Sequence, residues 1–303
     1  MSDALSVVVP IAITDATLIS STIPETDYAA WSSGTTYADG DRAIVVATHK
    51  VYESVVGANI NNNPTSTTST SWVEVSPTNR WKCFDTSNST QTAKASTATY
   101  VLNLAQAVTN ISLLNLTSVA SVRIRMNDPT YGAVYDTTIY TNNIIMEATW
   151  YAFLLGTRTG AIVANFIDIP LYPGATITVD IVGGASMAFG VLLFGVATDL
   201  GRSVNYGVSL SIQDYSRKET NAYGDTILVQ RAYSKKATFG LRLLSDDVDP
   251  VVEFLTNIRS TPCLWIGSSL YASTVIFGIY EDFDVVIAYF SESKCSLTIL
   301  GLT

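Results

Sequence analysis

The stretch TYVLNLAQAVTNISLLNLTSVASVRIRM, residues 99–126, decides the fold class. It breaks into three strand-like runs, 99–104, 111–116 and 121–126, each four to eight residues long and rich in residues that suit a pleated surface. Working outward, similar runs recur at 137–140, 162–166, 176–182 and 188–196. Between them stand Asn127-Asp128-Pro129, Tyr172-Pro173-Gly174 and Gly183-Gly184, residues that supply turn geometry. Short strands punctuated this often predict a β-sandwich over residues 77–200.

Towards the N-terminus, residues 1–30 read as a first strand, 5–14, and a polar link. Towards the C-terminus, residues 201–303 read as a further β-rich α+β domain, with strands at 204–212, 226–233, 263–266, 274–280, 283–289 and 295–300. Its one helix is expected at 247–259. There Asp247 or Asp249 can cap, Pro250 is tolerated in the first turn, and Val251, Phe254, Leu255 and Ile258 recur at helical spacing.

Only 14% of the 303 residues are charged, against about 25% in an average chain, and 48% are hydrophobic. So few ionic groups leave apolar surface to be covered, which points to assembly with neighbouring subunits. A net charge of -9 with 17 Lys and Arg argues against a nucleic-acid partner or an anionic membrane face. The longest apolar stretch, 187–197, is about half of the roughly 20 residues that a membrane-spanning helix needs, so no membrane insertion is expected. Residues 1–9 lack a basic flank, with Asp3 where a cation would be wanted, so synthesis and retention in a cytoplasm are expected. Cys83, Cys263 and Cys295 are widely spaced and include no CxxC pair, so they read as buried thiols and not as a disulfide or zinc framework.

Groups suited to catalysis are scarce. The single histidine, His49, reads as an exposed strand-turn residue, and no GxSxG elbow accompanies it. The cluster Asp246, Asp247 and Asp249 suits a helix N-terminus, where negative charge is favoured. Gly183-Gly184 lacks the rest of a phosphate-cradling loop. The segment Tyr215-Ser216-Arg217-Lys218 reads as a hairpin edge or subunit contact, with an anion contact as the alternative. We therefore expect no enzyme, no cofactor and no metal. A glycosidase, which would need two carboxylates at a suitable separation, is the weakest of three readings.

Residues 31–76 differ in composition, with short alternating segments at 42–47 and 50–55 around a loop, 59–71, built only from Asn, Ile, Pro, Thr and Ser. Trp31, Tyr37, Tyr52 and Trp72 stand among these polar segments. Two readings are open. Flat rings beside polar loops suit stacking on the C–H faces of sugars, and a unit of this size also needs large rings to build any core at all.

The pattern Trp31-x5-Tyr37-x2-Gly40-Asp41, then Val51-Tyr52 and Pro64-x7-Trp72, resembles the small carbohydrate-binding modules of the chitin-binding type five/twelve group. That resemblance implies a compact three-stranded sheet, with Trp31, Tyr37, Tyr52 and Trp72 as candidate carbohydrate-binding residues. Ile13-Thr14-Asp15-Ala16, Pro77-Thr78-Asn79-Arg80-Trp81, Asp214-Tyr215-Ser216-Arg217-Lys218-Glu219 and Cys295-Ser296-Leu297-Thr298-Ile299-x-Gly301-Leu302-Thr303 resemble a family of tailed-bacteriophage proteins often labelled carbohydrate-binding. This second resemblance implies a structural virion protein of the tail tip or baseplate, similar to distal tail proteins. Such a protein forms a homo-oligomeric ring, meets the tail tube, hub and fibres, and presents a small module towards host-surface polysaccharide. A polysaccharide-binding adhesion protein without a ring is the alternative. The fold expected from all of this is mainly β: a small three-stranded module, a β-sandwich and a C-terminal β-rich domain with one short helix.

Overall fold

The computed structural model describes residues 4–141, 161–204, 208–220, 224–268, 271–287 and 292–302. As expected, the chain is mainly β, and the described residues form two large antiparallel sheets and three small ones.

The six-stranded sheet runs in the order Gly132–Tyr140, Thr117–Asp128, Thr176–Phe189, Thr97–Asn103 and Leu18–Ser21, with Thr92–Ala93 added beside Thr176–Phe189. Its three central strands bury every second residue. Tyr100 and Leu102, then Val122, Ile124 and Met126, then Ile177, Val179 and Ile181 all point one way because side chains alternate across a pleat. The opposite face carries polar residues such as Arg123 and Arg125, paired with Asp136 and Asp180.

The ten-stranded sheet runs Val163–Phe166, Asn110–Leu114, Leu192–Leu200, Leu5–Pro10, Cys263–Ile266, Val275–Val286, Glu292–Gly301 and Tyr233–Leu244. Ser203–Val204 and Ser209–Asp214 share the outer edge of the last of these. Two different layers cover one face of this sheet. At one end Ile111, Leu113, Phe166, Leu192 and Phe194 close the sandwich against the six-stranded sheet. At the other end Val7, Phe239, Leu241, Trp265, Leu297 and Ile299 pack under the helix Val248–Asn257. On the reverse face a smaller cluster forms from Val8, Leu114, Leu193, Leu264, Ile266 and Phe277.

The divisions read from sequence at 30 and 200 are crossed by this sheet. Leu5–Pro10 pairs with Leu192–Leu200 on one side and with Cys263–Ile266 on the other, joining the sandwich to the helix-covered half. With Val7 and Val8 both fully buried, the strand has apolar neighbours on both faces and can sit only in the interior of a sheet. The helix lies within 247–259, preceded by a 3₁₀ turn, Ser245–Asp247. Asp247 occupies the N-cap with helical backbone angles and no side-chain capping bond, so the acidic residues there act through charge and not through a cap. The helix buries Val248, Val251 and Leu255, and the Tyr280 hydroxyl donates to the Leu255 carbonyl at 2.9 Å. Residues 274–280 and 283–289, expected as two strands, include one continuous strand, Val275–Val286, bent at an irregularity between Tyr280 and Asp282. Residues 288 and 289 of that expectation lie outside the described residues.

The module read at 31–76 forms a three-stranded antiparallel sheet, Arg42–Val45, Lys50–Ser54 and Trp72–Pro77, whose last strand runs one residue past 76, and a two-residue ladder between Thr36–Tyr37 and Asn59–Ile60.

Candidate functional site

Three features of the surface can carry function: the inserted module, its joint with the body, and an exposed hairpin arm.

In the module the four candidate rings do not share one exposure. Tyr37, Tyr52 and Trp72 are buried, and with Ala43 they form the module's own core, against which Trp31 packs half-exposed. Tyr37 meets Trp72 edge to face at 4.9 Å between centroids. The Tyr37 hydroxyl accepts the Ser32 N–H at 2.9 Å, and Trp72 Nε1 donates to the Asn62 carbonyl at 2.9 Å. These rings face inward because a unit so small has few other large side chains with which to exclude water. Buried rings have no free face for a sugar, so Trp31 alone of the four offers one. The apolar side chains that the module does expose are aliphatic: Val46, Val55, Val56, Ile60, Val73 and Val75. The Gly-Asp turn is built as its sequence suggests. Gly40 adopts a left-handed φ of 85°, and the Asp41 carboxylate accepts the Ala38 N–H at 2.6 Å. The polar loop is held by its own amides, with Asn59 Nδ2 donating to Ser54 Oγ and Asn62 Nδ2 to Asn59 Oδ1.

His49, expected as an exposed turn residue, is instead clamped where module meets body, its side chain only 18% exposed. Its backbone is left-handed, φ 55°, closing the 3₁₀ turn Val46–Thr48. Nδ1 lies 2.9 Å from Glu25 Oε1 and Nε2 lies 2.9 Å from Asp15 Oδ1. The ring stacks on Trp81 at 4.2 Å between centroids and 23° between planes. The Glu25 side chain is only 6% exposed, accepts the Thr78 hydroxyl at 2.7 Å, and has Arg80 Nη1 at 3.6 Å. Burial pulls the His49 pKa down, but the hydrogen bonds to Asp15 and Glu25 and their charges outweigh it, so the net shift is upward. Sequence reasoning missed this constellation because Asp15 and Glu25 sit on a separate link, and only folding brings them to the ring.

The arm lies in the C-terminal region. Ser209–Asp214, Arg217–Thr220 and Thr226–Val229 are exposed at every residue. They hold up Leu210, Ile212, Tyr215, Ile227, Leu228 and Val229, with Ile212 66% and Leu228 68% accessible. The cations expected here as an anion contact or subunit edge already have local acids. Arg217 pairs with Glu219 at 2.6 Å and Lys218 with Asp214 at 3.4 Å. Two sheet edges carry further exposed apolar residues: Tyr131 and Tyr140 beside Gly132–Tyr140, and Ile162 and Ile167 beside Val163–Phe166.

Groups of His, Cys, Asp or Glu fit to hold a metal are absent among the described residues. All three cysteines are free and buried, as expected; burial pushes the Cys83 and Cys263 thiols up to about 12 and Cys295 to about 11, so they stand as thiols near neutrality. An apolar cleft lined by Ile11, Ile13, Phe84, Val191, Leu193 and Phe277 includes one carboxylate, Asp85, whose oxygens are engaged by the Ser87 N–H and the Thr90 hydroxyl. No helix among the described residues is long and apolar enough to cross a membrane. Comparison of the chain with protein-family models, with curated proteins and with solved structures finds no match.

Proposed function

We propose that this chain is a structural subunit that assembles with copies of itself, acting as a virion component of a bacteriophage tail tip or baseplate and presenting the 31–76 module outward. The observation that carries the assembly reading is the arm. Its strands have backbone partners and are exposed at every residue, with no covering layer among the described residues, and a two-stranded ribbon of this kind is marginal in water alone. An arm on one side of the subunit that meets a different surface of the next copy makes a head-to-tail contact, and such contacts close into rings when the rotation allows. Among the described residues Gly132–Tyr140 and Val163–Phe166 each stand at the end of a sheet, and a sheet end is a surface on which backbone pairing to a neighbour can form. The placement in a tail, and partners such as the tail tube, hub and fibres, rest on the sequence resemblance.

Mass measurement in solution at micromolar concentration tests the assembly reading. Multimers are expected from the native chain, and a smaller species from the double variant Ile212→Lys, Leu228→Lys. A native chain that is monomeric and binds nothing from a tail lysate would sink it. The second reading, a polysaccharide-binding adhesion protein, is favoured by the half-exposed Trp31. It requires that Trp31→Ala abolish retention on host glycan while Val73→Ala leaves it intact.

A further inference from the structure

We infer that His49 is held as an imidazolium between Asp15 and Glu25, and that this doubly donating ring is a pH-dependent lock fastening the inserted module to the body. Two carboxylates at hydrogen-bond distance from one ring argue for it. A neutral imidazole has one N–H, and its second nitrogen is an acceptor, whereas an ionised carboxylate can only accept. With both nitrogens 2.9 Å from carboxylate oxygens, each contact is a hydrogen bond only when both nitrogens carry protons.

The partners belong to opposite sides of the joint. His49 is the left-handed residue between the 3₁₀ turn Val46–Thr48 and the strand Lys50–Ser54 of the module. Glu25 follows two residues after Ile23, which is fully buried in the sandwich core, and Asp15 lies between Ile13 and Leu18, both packed on that core. Trp81, beneath the ring, stands two residues before the core residue Cys83. Other charges facing the joint are already engaged. Arg80 donates to the Ile23 carbonyl and flanks Glu25, Lys50 reaches Glu74 at 2.7 Å, and Asp27 accepts the Asn79 N–H. Among the described residues no other cation therefore takes the ring's place between the two acids.

The sign follows from the upward displacement of His49 from its ordinary 6.5. A raised folded-state pKa means that the lock is fully present below 6.5 and is lost as pH climbs through the higher folded value. Loss of the proton turns one of the two contacts into an acceptor facing an acceptor. The Thr78 N–H, which donates to the His49 carbonyl at 2.8 Å, then has a less firmly held partner.

Because the chain has one histidine, its ring nitrogens give an unambiguous signal in nitrogen-15 resonance of the full-length protein. The expected result is a doubly protonated ring at pH 6.5 with a midpoint above that value. Amide exchange at Thr78, corrected for intrinsic rates, is expected to rise by roughly tenfold across the same midpoint, as when a hydrogen bond to a charged group is weakened. In Asp15→Asn, a substitution at an exposed side chain, the midpoint is expected to fall and the change in exchange to shrink. A midpoint at or below 6.5 in the native chain would overturn the inference. So would exchange at Thr78 that stays flat while the ring titrates. Neither readout depends on assembly, so failure here is distinct from failure of the structural-subunit reading.

Discussion

One strand, Tyr233–Leu244, passes through two environments. Along its later part it pairs with Glu292–Gly301 beneath the helix, and Ala237, Phe239, Leu241 and Leu243 are completely buried. Along its start it pairs with Ser209–Asp214, where Tyr233 is 57% exposed and Leu210 and Ile212 face solvent. Backbone pairing is satisfied in both halves and does not distinguish them. What differs is whether another layer covers the face, since burial of apolar area supplies most of the stabilisation and hydrogen bonding little net gain. The covered half is a core complete within one chain; the uncovered half is the part that the proposed assembly would complete.

The contrast can be broken most forcefully from the covered side. Trp265 is fully buried, and its indole donates to the Gly278 carbonyl at 3.0 Å. Trp265→Ala is expected to cost about 3–5 kcal/mol in denaturant unfolding. A loss under about 1 kcal/mol would mean that this core is only loosely packed.

Next comes Gly278→Ala. A Cβ there would lie 2.1 Å from the Leu300 carbonyl oxygen and 2.7 Å from Gly301 Cα, both backbone atoms of the adjoining strand. We expect a loss of about 1–3 kcal/mol from the forced shift, read as a lower thermal midpoint. Gly34→Ala, where nothing lies within 4 Å, serves as the matched control.

The arm should behave oppositely. Leu228→Ala is expected to change unfolding by no more than about 0.5 kcal/mol in dilute monomer, because no cover is lost, while weakening self-association measured by sedimentation. A large stability loss there would show that the arm already packs within its own chain.

The smallest expected effect is on the outer face of the six-stranded sheet. The hydrogen bond from Arg123 holds the Asp136 carboxyl below its ordinary range, so whatever stability the pair adds is present above the unfolded pKa and lost as pH falls through the folded one. Arg123→Ala should return the Asp136 titration to the ordinary range and scarcely move the melting point. A substantial drop in the melting point would mean that this solvent-exposed pair matters more than such pairs usually do.

Much of the architecture was legible. Short runs of residues suited to a pleated surface along 99–126 and 176–182, bounded by turn residues, marked strands, and the apolar spacing in 251–258 marked the helix because side chains three and four apart share a helix face. The joint at His49 was not legible, since its carboxylates lie 34 and 24 positions away and nothing local pairs them. Nor was the direction of the module's rings. Tyr37, Tyr52 and Trp72 are as apt for a sugar face as for a core until strand register turns them inward.

The sequence by itself determined a mainly β chain, the short helix within 247–259, buried thiols and a low share of charged residues, because composition and periodicity act over a few residues. Only the tertiary structure decided that Leu5–Pro10 unites the two halves of the body, that His49 fills the module's joint and that the arm stands uncovered. Those outcomes depend on which distant strands meet, and burial is a property of the meeting and not of either segment alone.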